Sequence, residues 1–260
     1  MQSLYNAISN CTNKLKNYLF TIFLLFSFEI LADTNIIYIR VALCDNVHQG
    51  IVKVSEKLGK GDDLQNNLYW GAAYGIKSFF KKQKEWKLID SQFNITDKIL
   101  ERVIFENKEN NAFIIADAYN GKFIQEAILN YLTESIQIES FSVITNKSKS
   151  IRKLNVFVGH NGLMDQQLDS KMNLSNREIA EDGIVLACMS KKYFQSLEES
   201  FKLNHILLTN SLMAPEAYIV HNVVNGWLNK EGKEKLIQRA SESYAKYQKI
   251  SVKTAKGIFK

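Results

Sequence analysis

IIYIRVAL, residues Ile36–Leu43, is a run of eight residues in which four side chains are β-branched and one, Arg40, is charged. A run this short does not fill an ordinary helix, and one this continuously apolar does not fit a strand with a wet face. It reads as a strand buried on both faces of a parallel sheet. Working outward, five further runs share its character: Trp86–Ile89, Ala112–Ala116 (AFIIA), Leu154–Val158 (LNVFV), Ile184–Ala187 (IVLA) and Ile206–Thr209.

The stretches between them carry helical spacing. Leu68, Ala72, Ile76 and Phe79 make one stripe within Leu64–Phe80, and Phe123, Ile124, Ala127, Ile128 and Tyr131 make another within Phe123–Leu132. Ile99–Ile104 reads as a short helix, Ala214–Leu228 as a helix with Pro215 in its first turn, and Lys233–Tyr247 as an amphipathic helix with a Lys-rich outer face. Strands alternating with helices predict an α/β fold, a three-layer sandwich around a mostly parallel central sheet. Pro215 is the single proline, and there is no repeat or low-complexity tract, so one domain over residues 33–260 is expected.

Ahead of that domain, Lys14 and Lys16 precede the apolar run Tyr18–Phe28, and Ala32 stands at a plausible cut. This reads as a signal peptide over residues 1–32 and predicts an exported protein, periplasmic or secreted. The apolar run is shorter than the roughly 20 residues of a membrane span, so no span is expected after cleavage. A net charge of +6 spread along the chain, without interleaved aromatics, argues against nucleic acid as a partner. The four histidines show no HExxH spacing and do not cluster with cysteines, so no metal and no cofactor are expected. Leu58–Asp63 lacks the Gly-Lys-Ser/Thr ending of a phosphate loop, and Asn67–Ala72 reads as aromatic core packing.

Ligands of open parallel sheets bind beyond the carboxyl ends of the strands. That rule selects Cys44 and Asp45 after the first strand, Asp117 after AFIIA, His160 after LNVFV-Gly159, and Cys188 after IVLA. The sharpest pair is His160 with Cys188, since a thiol is nucleophilic and an imidazole can take its proton or protonate a leaving amine.

VFVGHNG (156–162) and IVLAC (184–188) resemble the caspase-like cysteine peptidases, whose pattern is a hydrophobic strand then His-Gly, and a later one then Ala-Cys. The resemblance implies a His160–Cys188 dyad acting on a peptide or small-molecule substrate, with the N–H groups of Cys188 and Gly162 facing the oxyanion. Here Asn161 separates the histidine from the glycine. Strand order alone leaves a flavodoxin-like relationship open. The alternative function is a non-catalytic exported binding or sensor protein with Cys44 and Cys188 packed or joined by a disulfide. Asp117 is a candidate to orient His160 or to line the pocket.

Overall fold

The computed structural model describes residues 33–260, apart from 138–140, 142–143, 145–149 and 168–175. Seven strands form one sheet: β1 (Thr34–Ala42), β2 (Lys87–Phe93), β3 (Ile99–Asn107), β4 (Ala112–Tyr119), β5 (Ile151–Val158), β6 (Glu181–Leu186) and β7 (Leu203–Leu207). Their order is β2-β3-β4-β1-β5-β6-β7. From β4 through β7 the neighbours run parallel, while β2 and β3 add antiparallel at one edge. The fold is therefore α/β with a mostly parallel central sheet, and the parallel part follows the doubly wound order of flavodoxin-like sheets.

Alternation along β1 builds the layers. Ile37, Ile39 and Val41 enter one apolar cluster with helices α1 (Ile76–Phe80), α5 (Ala217–Leu228) and α6 (Lys233–Gln248). Ile36 and Tyr38 face the other way, into a cluster with Phe113 and Ile115. On that second face Ala42, Phe157, Val185 and Ala187 pack against α2 (Ile124–Thr133), and against Phe194 of α3 (Ser190–Phe194) and Phe201 of α4 (Glu198–Phe201). A last short helix, α7 (Val252–Lys256), adds Ala255 to the first face. Each large aliphatic side chain buried in these layers contributes about 1.5–3 kcal/mol, which is why β1, apolar on both sides, sits in the middle.

Three sequence expectations are corrected. Ile99–Ile104 belongs to β3, a strand whose first half alternates buried and half-buried positions; the period there is two, and β-branched Ile99, Val103 and Ile104 suit a strand. Within Leu64–Phe80 only Ile76–Phe80 is helical. Turns fill the rest, because Asp63 captures the N–H groups of Gln65 and Asn66, and Gly71 lies so close to the Gln65 carbonyl that a Cβ there would stand 2.2 Å from it. Pro215 precedes α5, whose N-cap is Glu216, so it ends the preceding loop instead of opening the helix.

Asp117 is also corrected. It lies inside β4, paired in register with Arg40, and not in a loop beyond the strand. Its carboxylate is fully buried and accepts from Arg102 Nε and Nη2, both at 2.6 Å, and from the Tyr38 hydroxyl at 2.6 Å. This bidentate pair pins the antiparallel strand β3 to the parallel sheet. It orients Arg102, and His160 takes its carboxylate from elsewhere.

The signal-peptide expectation falls on residues 1–32, outside the described residues. Among the described residues no helix is long and apolar enough to cross a membrane, and no group of three or more His, Cys, Asp or Glu is placed to hold a metal ion.

Removing the Asp117 carboxylate leaves Arg102 and Tyr38 without their buried acceptor. Asp117→Ala should cost about 3 kcal/mol, the lower end for breaking a buried ion pair. Urea unfolding measures it, and a loss below about 1 kcal/mol would contradict this account of the edge.

Candidate functional site

Sheet register brings the two candidate residues together. Val158 of β5 pairs with Leu186 of β6. Two residues on, His160 and Cys188 leave neighbouring strands at equal height. Parallel strands lie about 4.8 Å apart, so the two side chains start from adjacent positions at one sheet edge. Both line a single cavity of about 400 Å³ at the carboxyl ends of the strands. The chain reverses its direction of winding at β1, with β4 on one side and β5 on the other, and such a switch point is where doubly wound sheets hold ligands.

His160 is largely buried, and its Nε2 lies 2.8 Å from Asp165 Oδ2. An ionised carboxylate only accepts, so in the neutral imidazole the tautomer that suits this contact carries its proton on Nε2 and its lone pair on Nδ1. The same Oδ2 accepts the Gly50 N–H at 3.1 Å, joining the loop after β1 to the loop after β5. Asn161 makes a second link: its Nδ2 donates to the Cys188 carbonyl at 2.7 Å, while its Oδ1 accepts from Leu163 N–H at 3.2 Å. The His loop and the Cys loop are thus fixed to each other by one amide side chain.

Cys188 is partly exposed and free of any disulfide. Its Sγ lies 3.5 Å from both the N–H and the carbonyl of Met213. Met189, next along, adopts left-handed backbone with φ 51° and ψ 32°, a conformation uncommon for a residue with a large side chain. A polar knot behind it holds the turn. Met189 N–H donates to Ser211 O at 3.0 Å, Ser190 Oγ donates to Val185 O at 2.9 Å, and Thr209 Oγ1 donates to Ala187 O. Strain held in this way clusters at functional sites. The Cys188 N–H has no acceptor among the described residues.

The remaining sequence candidates sit around this pair with other tasks. Gly162 N–H donates to the His160 carbonyl at 3.1 Å, so it is occupied and is not a free oxyanion donor; this corrects the role expected for it. Its own carbonyl accepts from Gln125 of α2 at 2.9 Å. Cys44 is a free thiol, fully buried, with its backbone N–H and carbonyl taken by the Asn67 side chain at 3.1 and 2.8 Å. Burial pushes the Cys44 thiol up to about 11. No disulfide joins Cys44 to Cys188. Asp45 caps the loop after β1, accepting from Val47 N–H at 2.8 Å and His48 N–H at 3.1 Å, and pairing with His48 Nδ1 at 2.8 Å. That loop carries Gly50, Ile51 and Val52 into the cavity wall.

Sequence reasoning missed Asp165, Asn161 as a tether, and the place of Tyr69 in the cavity wall. Asp165 stands five residues after His160, and a carboxylate that near an imidazole at a strand end was the available signal. Tyr69 packs in the core, as its spacing predicts, and in addition lines the cavity close to both cysteines, where burial pushes its hydroxyl well above the ordinary value. Its neighbour Trp70 is core, as read. Comparison of the chain with protein-family models, curated proteins and solved structures found no significant match.

The two thiols should separate in reactivity, because the thiolate is the nucleophile and Cys44 stays protonated until the pH nears 11. Iodoacetamide at pH 8, with peptide mass mapping, should modify Cys188 and spare Cys44 in the folded protein. Equal labelling of the two would overturn this assignment.

Proposed function

We propose that the protein is a caspase-like cysteine hydrolase, a peptidase or amidase, with Cys188 as nucleophile and His160 as its acid/base. The observation that carries this reading is a partly exposed thiol and an imidazole lining one cavity, the imidazole backed by the Asp165 carboxylate at 2.8 Å. The sheet order is shared by many α/β proteins, so the reading rests on the side chains at its edge.

The steps follow from the positions of the protons. His160 Nδ1 takes the Cys188 thiol proton, and the thiolate attacks the substrate carbonyl carbon, forming a C–S bond while the carbonyl electrons move onto oxygen. The Cys188 N–H, which has no acceptor among the described residues, is the donor this reading assigns to the developing negative charge. Collapse expels the amine, which leaves with the proton from His160. Water then adds to the thioester with His160 as base, releasing the acid and restoring the thiol. Asp165 keeps the imidazole in the tautomer and orientation these transfers need.

The reading also takes the chain to be exported, in the periplasm or outside the cell, with a mature N-terminus near Asp33. Its support is the basic, apolar and small-residue sequence of Lys14 to Ala32.

Cys188→Ala and His160→Ala should each remove amide hydrolysis, and the double variant should be no worse than either, since groups that act as a unit do not add. Asp165→Asn should lower kcat about 100-fold with little change in KM, and Asp165→Glu should recover part of the loss. A fall confined to KM, or one that tracks a lowered melting temperature, would make Asp165 a structural residue only. Full hydrolysis by Cys188→Ala would end the proposal.

A further inference from the structure

We infer that the site selects a neutral, apolar acyl group: the substrate residue entering the cavity beside Cys188 carries an aliphatic, thioether or aromatic side chain and no charge. The inference deepens the hydrolase reading and rests on it for the chemistry, though not for the binding preference.

The composition of the wall carries it. Ile51, Val52, Met164, Leu212, Met213 and Pro215 supply the apolar lining, and the remaining contacts come from Tyr69, His160, Cys188 and two glycines. Among the described residues, no Lys, Arg, Asp or Glu lines the cavity. A charged side chain entering it would lose water and meet no counter-ion among these lining residues, which costs far more than the apolar contacts return. The two carboxylates nearest in sequence to lining residues are already engaged. Asp165 accepts from His160 and Gly50, and Glu216 accepts from the Tyr218 hydroxyl at 2.7 Å and from Gln248 Nε2 at 2.9 Å.

Exposure at the mouth is a second and separate observation. Val52 is 90 % exposed, Leu212 66 % and Met164 41 %, although each is large and apolar. They stand on three different loops, after β1, β7 and β5 respectively, and meet around one opening. Apolar side chains held in water and gathered around a concavity mark a binding surface. The size fits one such group. About 400 Å³ is near the lower end of the roughly 300–1,000 Å³ range of ligand pockets. That is room for one side chain and its flanking amides, which limits recognition to the residue at the scissile bond and its near neighbours.

Two experiments on the wild-type protein test it with separate failures. In the first, fluorogenic amides differing only in the acyl residue, Leu, Met or Phe against Asp, Glu, Lys or Arg, are compared by kcat/KM, with Cys188→Ala as the blank. Apolar residues should be favoured at least about 100-fold. The second reads Cys188 alkylation by haloacetamides bearing an apolar, an anionic or a cationic group, each rate divided by that of the same reagent with a free thiol. In each the sulfur displaces halide and the thiol proton is lost to base. The apolar reagent should react with Cys188 at least about 10-fold faster than either charged one. Leu212→Asp, at an exposed position where the fold tolerates it, should erase that preference and shift it toward the cationic reagent. Apolar preference in alkylation without any amide hydrolysis keeps the binding inference and removes the hydrolase reading. Equal alkylation rates, or faster hydrolysis of a Lys, Arg, Asp or Glu amide, overturn the inference itself.

Discussion

The register of β5 against β6 is the constraint on which the rest depends. Val158 opposite Leu186 sets His160 and Cys188 level as they leave the sheet, and β1 on the far side of β5, with Val41 opposite Val158, brings Leu43 and Cys44 to the same height. A slip of one residue would turn every side chain of β6 to the other face, removing Ile184 and Leu186 from the cluster under α5. The apolar alternation on both faces therefore fixes the height at which the thiol emerges. Packing and site geometry are one requirement seen from two ends of the same strand.

Short polar ties then convert a sheet edge into a cavity. Gln49 Nε2 donates to Leu43 O at 2.8 Å and to Gly121 O at 3.0 Å, holding the loop after β1 against the turn before α2. Asp165 receives Gly50 from that loop and His160 from the next, and Asn161 reaches across to the Cys188 carbonyl. Backbone groups that would be stranded in irregular segments are satisfied by side chains from neighbouring loops. The same bonds that satisfy the backbone also span between the elements that wall the cavity. Met189 in left-handed backbone shows how tightly the turn after Cys188 is held.

The parallel strands were legible in the sequence because burial on both faces leaves a continuous apolar run, as in IIYIRVAL and LNVFV, and the strand-end rule follows from chain direction. Ile99–Ile104 was misread because a six-residue window with Glu101 and Arg102 at its centre fits a helix stripe and a half-buried strand equally well; pairing with β4 decided for the strand. Leu64–Phe80 carries helical spacing, yet Asn67 spends its side chain on the Cys44 backbone and Gly71 admits a close turn, neither of which spacing reveals. Asp117 sat at a strand end by sequence, and only the longer β4 and the partner Arg102 gave it a structural task. Asp165, Asn161 and the apolar rim depend on contacts between loops distant in the chain, where periodicity carries no signal.

The central claim is that Cys188 and His160 behave as a chemical pair. The most direct measurement is the rate of Cys188 alkylation by a small neutral reagent as a function of pH, in the wild type and in His160→Ala. If the imidazole shares the thiol proton, removing it should change the shape of the pH dependence, so the wild-type and His160→Ala curves should differ. Superimposable curves for the two proteins would contradict the pairing.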